Sequence, residues 1–186
     1  MSFGKYILIP IFIAFQAFTM MLITPYAKTF GEGAGGLATW VSFQAWAMYF
    51  LAGCTPKMGA KVLAGYLGGI VASVGIFELG DFLAAPLGGY WGYAVAVLII
   101  VVPVISMEKV PGFNFVPSWF IGAGVFFGFM TLKGYGPDQH NMQVYTNIAL
   151  PELFACLVGL VYGWVTVVFR TWYEAKARVA MAATKK

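Results

Sequence analysis

Six runs of apolar residues, each bounded by charge, proline or glycine, make up most of the chain. They cover residues 6–24, 37–54, 62–79, 91–106, 116–132 and 149–169. Each run approaches the roughly 20 residues that a helix needs to cross a hydrocarbon core about 30 Å thick. The pattern predicts an all-α, polytopic membrane protein with about six transmembrane helices, folded as a single transmembrane domain over residues 1–186.

The overall composition agrees with this pattern. Of the 186 residues, 61% are hydrophobic and only 10% are charged, whereas a typical soluble domain carries about 25% charged residues. Membrane lipid is therefore the expected surroundings of the chain. The net charge of +4 does not predict a nucleic-acid partner, because the cations lie between the apolar runs and in a basic cytoplasmic tail at 170–186.

The distribution of Lys and Arg predicts the orientation. If the N-terminus is cytoplasmic and there are six spans, nine of the eleven cations fall on the cytoplasmic side: Lys5, Lys57, Lys61, Lys109, Arg170, Lys176, Arg178, Lys185 and Lys186. Only Lys28 and Lys133 fall on the other side. By the positive-inside rule, both termini are expected in the cytoplasm.

The second and fifth runs resemble each other, and so do the third and sixth. Residues 43–50 can be laid over 120–127, and residues 63–68 over 154–159. Two units of three helices would lie in the membrane with opposite orientations, as do the inverted repeats of many transporters. The alternative is chance similarity, because Gly, Ala and Phe are abundant throughout the chain.

Two stretches carry a resemblance to a known family. They are Tyr49-Phe-Leu-Ala-Gly-Cys-Thr-Pro-Lys-Met-Gly59, followed by Lys61, and Val116-Pro-Ser-Trp-Phe-Ile-Gly-Ala123. Over roughly residues 37–170, the chain resembles the YcdZ-like family of uncharacterised bacterial inner-membrane proteins. The resemblance implies a small, multi-pass protein of the bacterial inner membrane and no particular activity. The loop at residues 134–147 and the first loop are longer here than in that family.

Polar side chains inside the apolar runs suggest a path for a solute. Gln16 and Gln44 lie near the middle of their runs, where an unpaired polar group is costly. Together with small and aromatic neighbours they form the set of pore-lining candidates: Gln16, Phe43, Gln44, Ala47, Tyr49, Phe120, Gly122, Gly124 and Phe126. The alternative is that the two glutamines form structural hydrogen bonds between helices.

Small residues at helical spacing indicate close contacts between helices. The candidates for helix packing or an oligomer interface are Gly65, Gly69, Ser73, Gly159 and Gly163. Such residues allow two backbones to approach in lipid. The stripe on the third run favours a homo-oligomer or a larger membrane complex, and ordinary packing within the chain is the alternative.

Three further features have ordinary explanations beside functional ones. Pro56, Lys57 and Lys61 form a cytoplasmic turn that would attract an anion or simply anchor the helix. Glu152 follows Pro151 at the predicted start of the last helix, where the helix dipole favours a carboxylate. His140 stands beside Asp138 in the outer loop, but metal sites need three or four ligands, so no metal is expected.

The sequence contains no arrangement of nucleophile, base and acid, and no phosphate-binding loop. We therefore expect neither an enzyme nor a bound cofactor. The sequence favours a small-solute channel or transporter, with passive permeation of a small neutral or weakly charged molecule, because no acid is evident in the middle of a span. The alternative is a non-catalytic accessory or scaffolding subunit of a larger membrane complex.

Overall fold

The computed structural model describes residues 3–31 and 37–183, and almost all of these are helical. The α-helices among them are α1 (Phe3–Tyr6), α2 (Leu8–Ile23), α3 (Ala38–Leu51), α4 (Pro56–Leu87), α5 (Gly89–Ser106), α6 (Val116–Lys133) and α7 (Met142–Ala183). Short 3₁₀ turns lie at Thr24–Phe30, Met107–Lys109 and Pro137–Gln139. The expectations for Lys185 and Lys186 fall outside the described residues.

Five stretches in the described part of the chain are long and apolar enough to cross a membrane. They are Leu8–Phe30, Pro56–Leu87, Gly89–Lys109, Val116–Lys133 and Met142–Val179. Helix α3 has 14 residues and is about 21 Å long at 1.5 Å per residue, less than the thickness of a hydrocarbon core. The all-helical, membrane-type fold is confirmed, whereas the count of six crossings stays a prediction.

Two helices begin earlier than the apolar runs indicate. Helix α4 begins at Pro56 because the Thr55 hydroxyl accepts a hydrogen bond from the Met58 amide (3.2 Å) and so caps the first turn. Helix α7 begins at Met142 because the Asn141 side chain accepts one from the Val144 amide (3.0 Å). The helices therefore begin six and seven residues before the apolar runs, which start at residues 62 and 149.

The helices pack in two groups that meet along α4 and α7. Helix α4 packs extensively against α5 and α6, and α7 packs extensively against α3 and the Thr24–Phe30 turn. Helices α4 and α7 also contact each other. Gly88, with a φ of 84°, makes the sharp turn between α4 and α5, a conformation that glycine adopts without steric cost.

The core is aromatic, and the outer surface is apolar as well. The largest fully buried side chains include Tyr49, Tyr66, Phe126 and Phe129. Large apolar side chains are exposed on most helices, among them Phe15, Phe18, Leu98, Val102, Leu132 and Trp164. An apolar surface of this extent marks contact with a membrane.

A candidate functional site where α4 meets α7

Among the close helix contacts of the bundle, one on each of the two long helices α4 and α7 is centred on a glycine. A Cβ added to Gly69 on α4 would lie 2.5 Å from the Ala123 nitrogen of α6. A Cβ added to Gly159 on α7 would lie 2.9 Å from the Trp46 nitrogen of α3. Both helix pairs therefore approach backbone to backbone, as small residues permit in lipid.

The small residues on α4 face the inside of the chain. Gly65 contacts Ser118, and Gly69 contacts Gly122 and Ala123. Ser73 is fully buried, and its hydroxyl donates a hydrogen bond to the Gly69 carbonyl at 2.9 Å. The expectation that this stripe offers a flat face to a neighbouring subunit is therefore corrected, because α6 already covers it. Gly159 and Gly163 are likewise covered, by α3.

The pore-lining candidates do not share one wall. Phe43, Ala47, Phe120 and Gly124 are exposed on the outside of the bundle. Those that are buried or partly buried pack into separate contacts: Gln16, Gln44, Tyr49, Gly122 and Phe126. Helices α3 and α6 touch only marginally, because each packs along a different long helix. The expected gap between these two helices is therefore corrected.

The two glutamines have different surroundings. Gln16 is buried, its amide nitrogen donates to the Tyr162 carbonyl at 3.1 Å, and its carbonyl accepts from the Thr166 hydroxyl at 2.8 Å. These bonds join α2 to α7. Gln44 is partly buried, and its side-chain oxygen has no hydrogen-bond partner among the described residues. Of the two glutamines, only Gln16 forms side-chain hydrogen bonds to another helix.

The position of Glu152 within its helix differs from the sequence prediction. Because α7 begins at Met142, Glu152 is inside the helix rather than at its start. Its side chain is fully buried, and neither carboxyl oxygen has a hydrogen-bond partner in the described part of the chain. The explanation by the helix dipole is therefore wrong. A buried acid thus lies inside a candidate span.

Tyr66 of α4 is the neighbour of Glu152 across the helix contact. The Tyr66 side chain is fully buried, and its hydroxyl also lacks a partner among the described residues. It interacts electrostatically with Glu152 and with Cys156, which lies one turn further along α7. Three buried polar side chains therefore meet where the two long helices touch, and two of them have unused hydrogen-bonding capacity.

A signal for this site was present in the sequence. Tyr145, Ile148, Glu152, Cys156 and Gly159 are all buried on α7 and follow one another at the spacing of three or four that marks one helix face. The first two precede the predicted start of the last apolar run. Extending the run by two turns would have placed Glu152 on the buried face.

A second polar group lies near the C-terminal end of α4, which the predicted orientation puts on the outer side, and its members are joined by hydrogen bonds. The Asp81 carboxylate contacts the His140 Nδ1 at 2.6 Å and accepts a hydrogen bond from the Tyr93 hydroxyl. The His140 ring lies 4.6 Å from the Phe77 ring, centroid to centroid. This outer cluster, Asp81, Tyr93, His140 and Phe77, joins α4, α5 and the loop that precedes α7.

The turn of Pro56, Lys57 and Lys61, predicted to be cytoplasmic, is also bonded to a neighbouring segment. Lys61 donates a hydrogen bond to the Asn114 side chain at 2.8 Å, whereas Lys57 is exposed. Pro56 occupies the first turn of α4. The hydrogen bond from Lys61 joins the start of α4 to the segment before α6. Lys61, one of the two cations of this turn, therefore has a structural role.

Metal and thiol chemistry find little support in the described residues. No group of three or more His, Cys, Asp and Glu side chains comes together there. Cys54 and Cys156 are both free, and Cys156 is buried.

Fold and site together describe an apolar, all-helical protein of the membrane type with a buried polar centre. The chain belongs to the family described as a protein of unknown function, DUF1097, whose model matches residues 7–171. The expected membership of an uncharacterised family is thereby confirmed. No curated protein and no solved structure matches the chain significantly.

Proposed function

We propose that this protein carries a small neutral or weakly charged solute across a bacterial inner membrane, as a non-enzymatic YcdZ-like protein. Six helices, α2 to α7, would cross the membrane and leave both termini in the cytoplasm. The solute would pass between two halves of three helices each, α2–α4 and α5–α7. The observation that carries the proposal is the equivalence of the two glycine crossings.

The equivalence extends to individual residues. Gly159 packs against Ser42, Ala45 and Trp46 of α3, and Gly69 packs against Trp119, Gly122 and Ala123 of α6. Each residue of the second set stands 77 positions after its counterpart in the first. The third helix of one half thus crosses the second helix of the other half with the same contacts. The offset of 77 is the one at which residues 43–50 can be laid over 120–127, and this agreement supports an internal repeat.

The directions of the helices support the same arrangement. Ser42 bonds to Ala155 and Tyr49 packs against Gly163, so α3 and α7 run parallel. Gly65 packs against Ser118 and Phe77 against Phe127, so α4 and α6 also run parallel. Since each half has three helices, the second half begins on the opposite side of the membrane from the first. Inverted halves of this kind are a common architecture of transporters.

The centre of this arrangement coincides with the Glu152 site. Tyr66 is ten residues from the start of α4 at Pro56, and Glu152 is ten residues from the start of α7 at Met142. Both side chains therefore lie about 15 Å along their helices, inside the candidate spans Pro56–Leu87 and Met142–Val179. Transporters built from inverted halves bind solutes near the midplane, where the halves meet.

Passage requires α4 and α7 to separate, because the buried groups fill the contact between them. The apolar groove of about 430 Å³ beside Gly59 and Leu63 has almost no polar lining and suits lipid chains better than a hydrated solute. Association with copies of itself or with other membrane proteins remains part of the proposal. Its surface would be the exposed apolar faces rather than the glycine stripe of α4.

The test is solute flux through the purified protein. Proteoliposomes would be mixed with hyperosmotic urea, glycerol or acetamide in a stopped-flow instrument, and the recovery of vesicle volume would be followed by light scattering. We expect recovery to be faster than in protein-free liposomes for at least one solute. Vesicles that carry Gly124→Ala, a change at an exposed position with open space around it, serve as the matched control and should behave as wild type.

Equal recovery with and without protein for all three solutes would count against transport. It would favour the accessory role instead, since a scaffolding subunit needs no path for a solute. Comparing the flux of solutes of different size also reports the width of the passage, because a narrow route between tightly packed helices should admit urea faster than glycerol.

A further inference from the structure

Glu152 is the most costly unexplained group in the described part of the chain. Its carboxyl group is fully buried within a candidate span and has no hydrogen-bond partner. An ionised carboxylate without a partner in an apolar interior costs far more free energy than the neutral acid. A group of this kind inside a membrane is usually retained for a function.

No Lys, Arg or His side chain of the described residues forms an ion pair with the Glu152 carboxyl group. From α4 the titratable neighbour is Tyr66, and from α7 itself it is Cys156. Among the described residues of α3 and of the Thr24–Phe30 turn, no charged side chain pairs with Glu152. A proton is therefore the ligand that the closed packing accommodates.

We propose that Glu152 is a proton-binding site, protonated while α4 and α7 are in contact and able to release its proton when they separate. The side chain then acts as a switch: the neutral acid permits the closed contact, and the carboxylate favours an open one in which water reaches it. Tyr66, with a free hydroxyl beside it, is suited to donate a hydrogen bond to the ionised form. Together with the proposed function, this inference makes the transport proton-coupled. Only that coupling rests on the proposed function.

The polar residues of the outer half indicate the side from which protons arrive. Tyr145 lies two turns before Glu152 on the buried face of α7, and its hydroxyl lies beside Glu78. The outer cluster of Asp81 and His140 follows at the start of the loop. These groups lead from the outer end of the bundle toward Glu152, whereas on the inner side the next buried residues of α7 are Ala155, Cys156, Gly159 and Leu160.

The protonation state is measured directly by infrared spectroscopy of the reconstituted protein at neutral pH. We expect the carbonyl band of a protonated carboxylic acid in wild type and its loss in Glu152→Gln. Glu108→Gln is the matched control, because Glu108 is exposed and pairs with Lys109 at 3.1 Å, and it should keep the band. The absence of the band from wild type, or its persistence in Glu152→Gln, would overturn the assignment.

A chemical label gives a second reading that does not depend on transport. A hydrophobic carbodiimide adds to a protonated carboxyl group in a membrane and leaves a stable mass increase. Mass spectrometry should place this increase on Glu152, with less labelling as the pH rises. Labelling confined to the exposed acids, such as Glu108 and Asp138, would contradict a protonated Glu152.

The vesicle assay separates this inference from the proposed function. If solute flux is present, its rate should depend on pH in wild type and lose that dependence in Glu152→Gln. Flux with the same pH dependence in both proteins would refute the coupling and leave transport intact. The protonated band without any flux would support the proton site and refute transport.

Discussion

Gly159 lies so close to Trp46 that a Cβ at position 159 would come within 2.9 Å of the Trp46 backbone nitrogen. The neighbour is a rigid helix backbone, so α3 and α7 would have to move apart. Overpacking of this kind costs about 1–3 kcal/mol. We therefore predict that Gly159→Ala lowers the free energy of unfolding by that amount, and that Gly69→Ala does the same at the equivalent crossing of α4 and α6. Thermal unfolding in mild detergent, followed by tryptophan fluorescence, measures both effects.

The matched control for these variants is Gly124→Ala. Nothing lies within 4 Å of a Cβ at position 124, and alanine favours a helix over glycine by about 1 kcal/mol. This variant should be as stable as wild type or more so. If Gly159→Ala were equally stable, the close crossing of α3 and α7 would be wrong.

The two glutamines within the apolar runs should respond differently to the same substitution. Gln16→Met removes two hydrogen bonds between α2 and α7, and interhelical bonds in membranes contribute about 0.6 kcal/mol on average and at most about 1.7. We predict a loss of about 1–2 kcal/mol for Gln16→Met. Gln44→Met should be neutral or stabilising, because the Gln44 side-chain oxygen has no partner in the described residues. Unfolding in a denaturing detergent compares the two, and a larger loss at position 44 would contradict the assignment.

The contact between Asp81 and His140 should hold the outer ends of α4 and α7 together. Asp81→Ala leaves His140 and Tyr93 buried or half-buried without their acceptor, which costs about 1–3 kcal/mol. Asp138→Ala, an exposed aspartate in the same loop, should change stability little. Limited proteolysis of the loop at residues 134–141 reports the local effect, and cleavage should accelerate only for Asp81→Ala.

A double variant distinguishes a specific bond from general damage. In Asp81→Ala with His140→Phe, the new ring keeps the contact with Phe77 and no longer needs an acceptor. Part of the lost stability should return. A double variant that is less stable than Asp81→Ala alone would show that the His140 ring matters for something other than this bond.

The sequence was sufficient for the class of fold because hydrophobic length is a strong signal. The helices α2, α4, α5, α6 and α7 all contain apolar runs that the pattern predicted. The starts of α4 and α7 were missed because Thr55 and Asn141 cap helices that extend beyond the apolar core. That error hid the site, since Glu152 was read as the first turn of α7.

Which helices are neighbours could not be read from one sequence. The small residues of α4 and α7 were recognised as packing surfaces, but their partners depend on the tertiary fold. Phe43 and Phe120 were taken as pore walls because aromatic and small residues alternate around them. Both are exposed, because α3 and α6 turn their buried faces toward α7 and α4 instead of toward each other.

The opposite orientation of the two halves is tested most directly by cysteine labelling in intact cells. The turn after α2 and the segment after α5 occupy equivalent places in the two halves, and α3, α4 and α5 lie between them. Lys28→Cys and Lys109→Cys would each be placed in a chain that carries Cys54→Ser and Cys156→Ala, and both positions are exposed. A membrane-impermeant maleimide should label position 28 in intact cells and position 109 only after lysis. Labelling of both positions from the same side would contradict the inverted halves and the transport route between them.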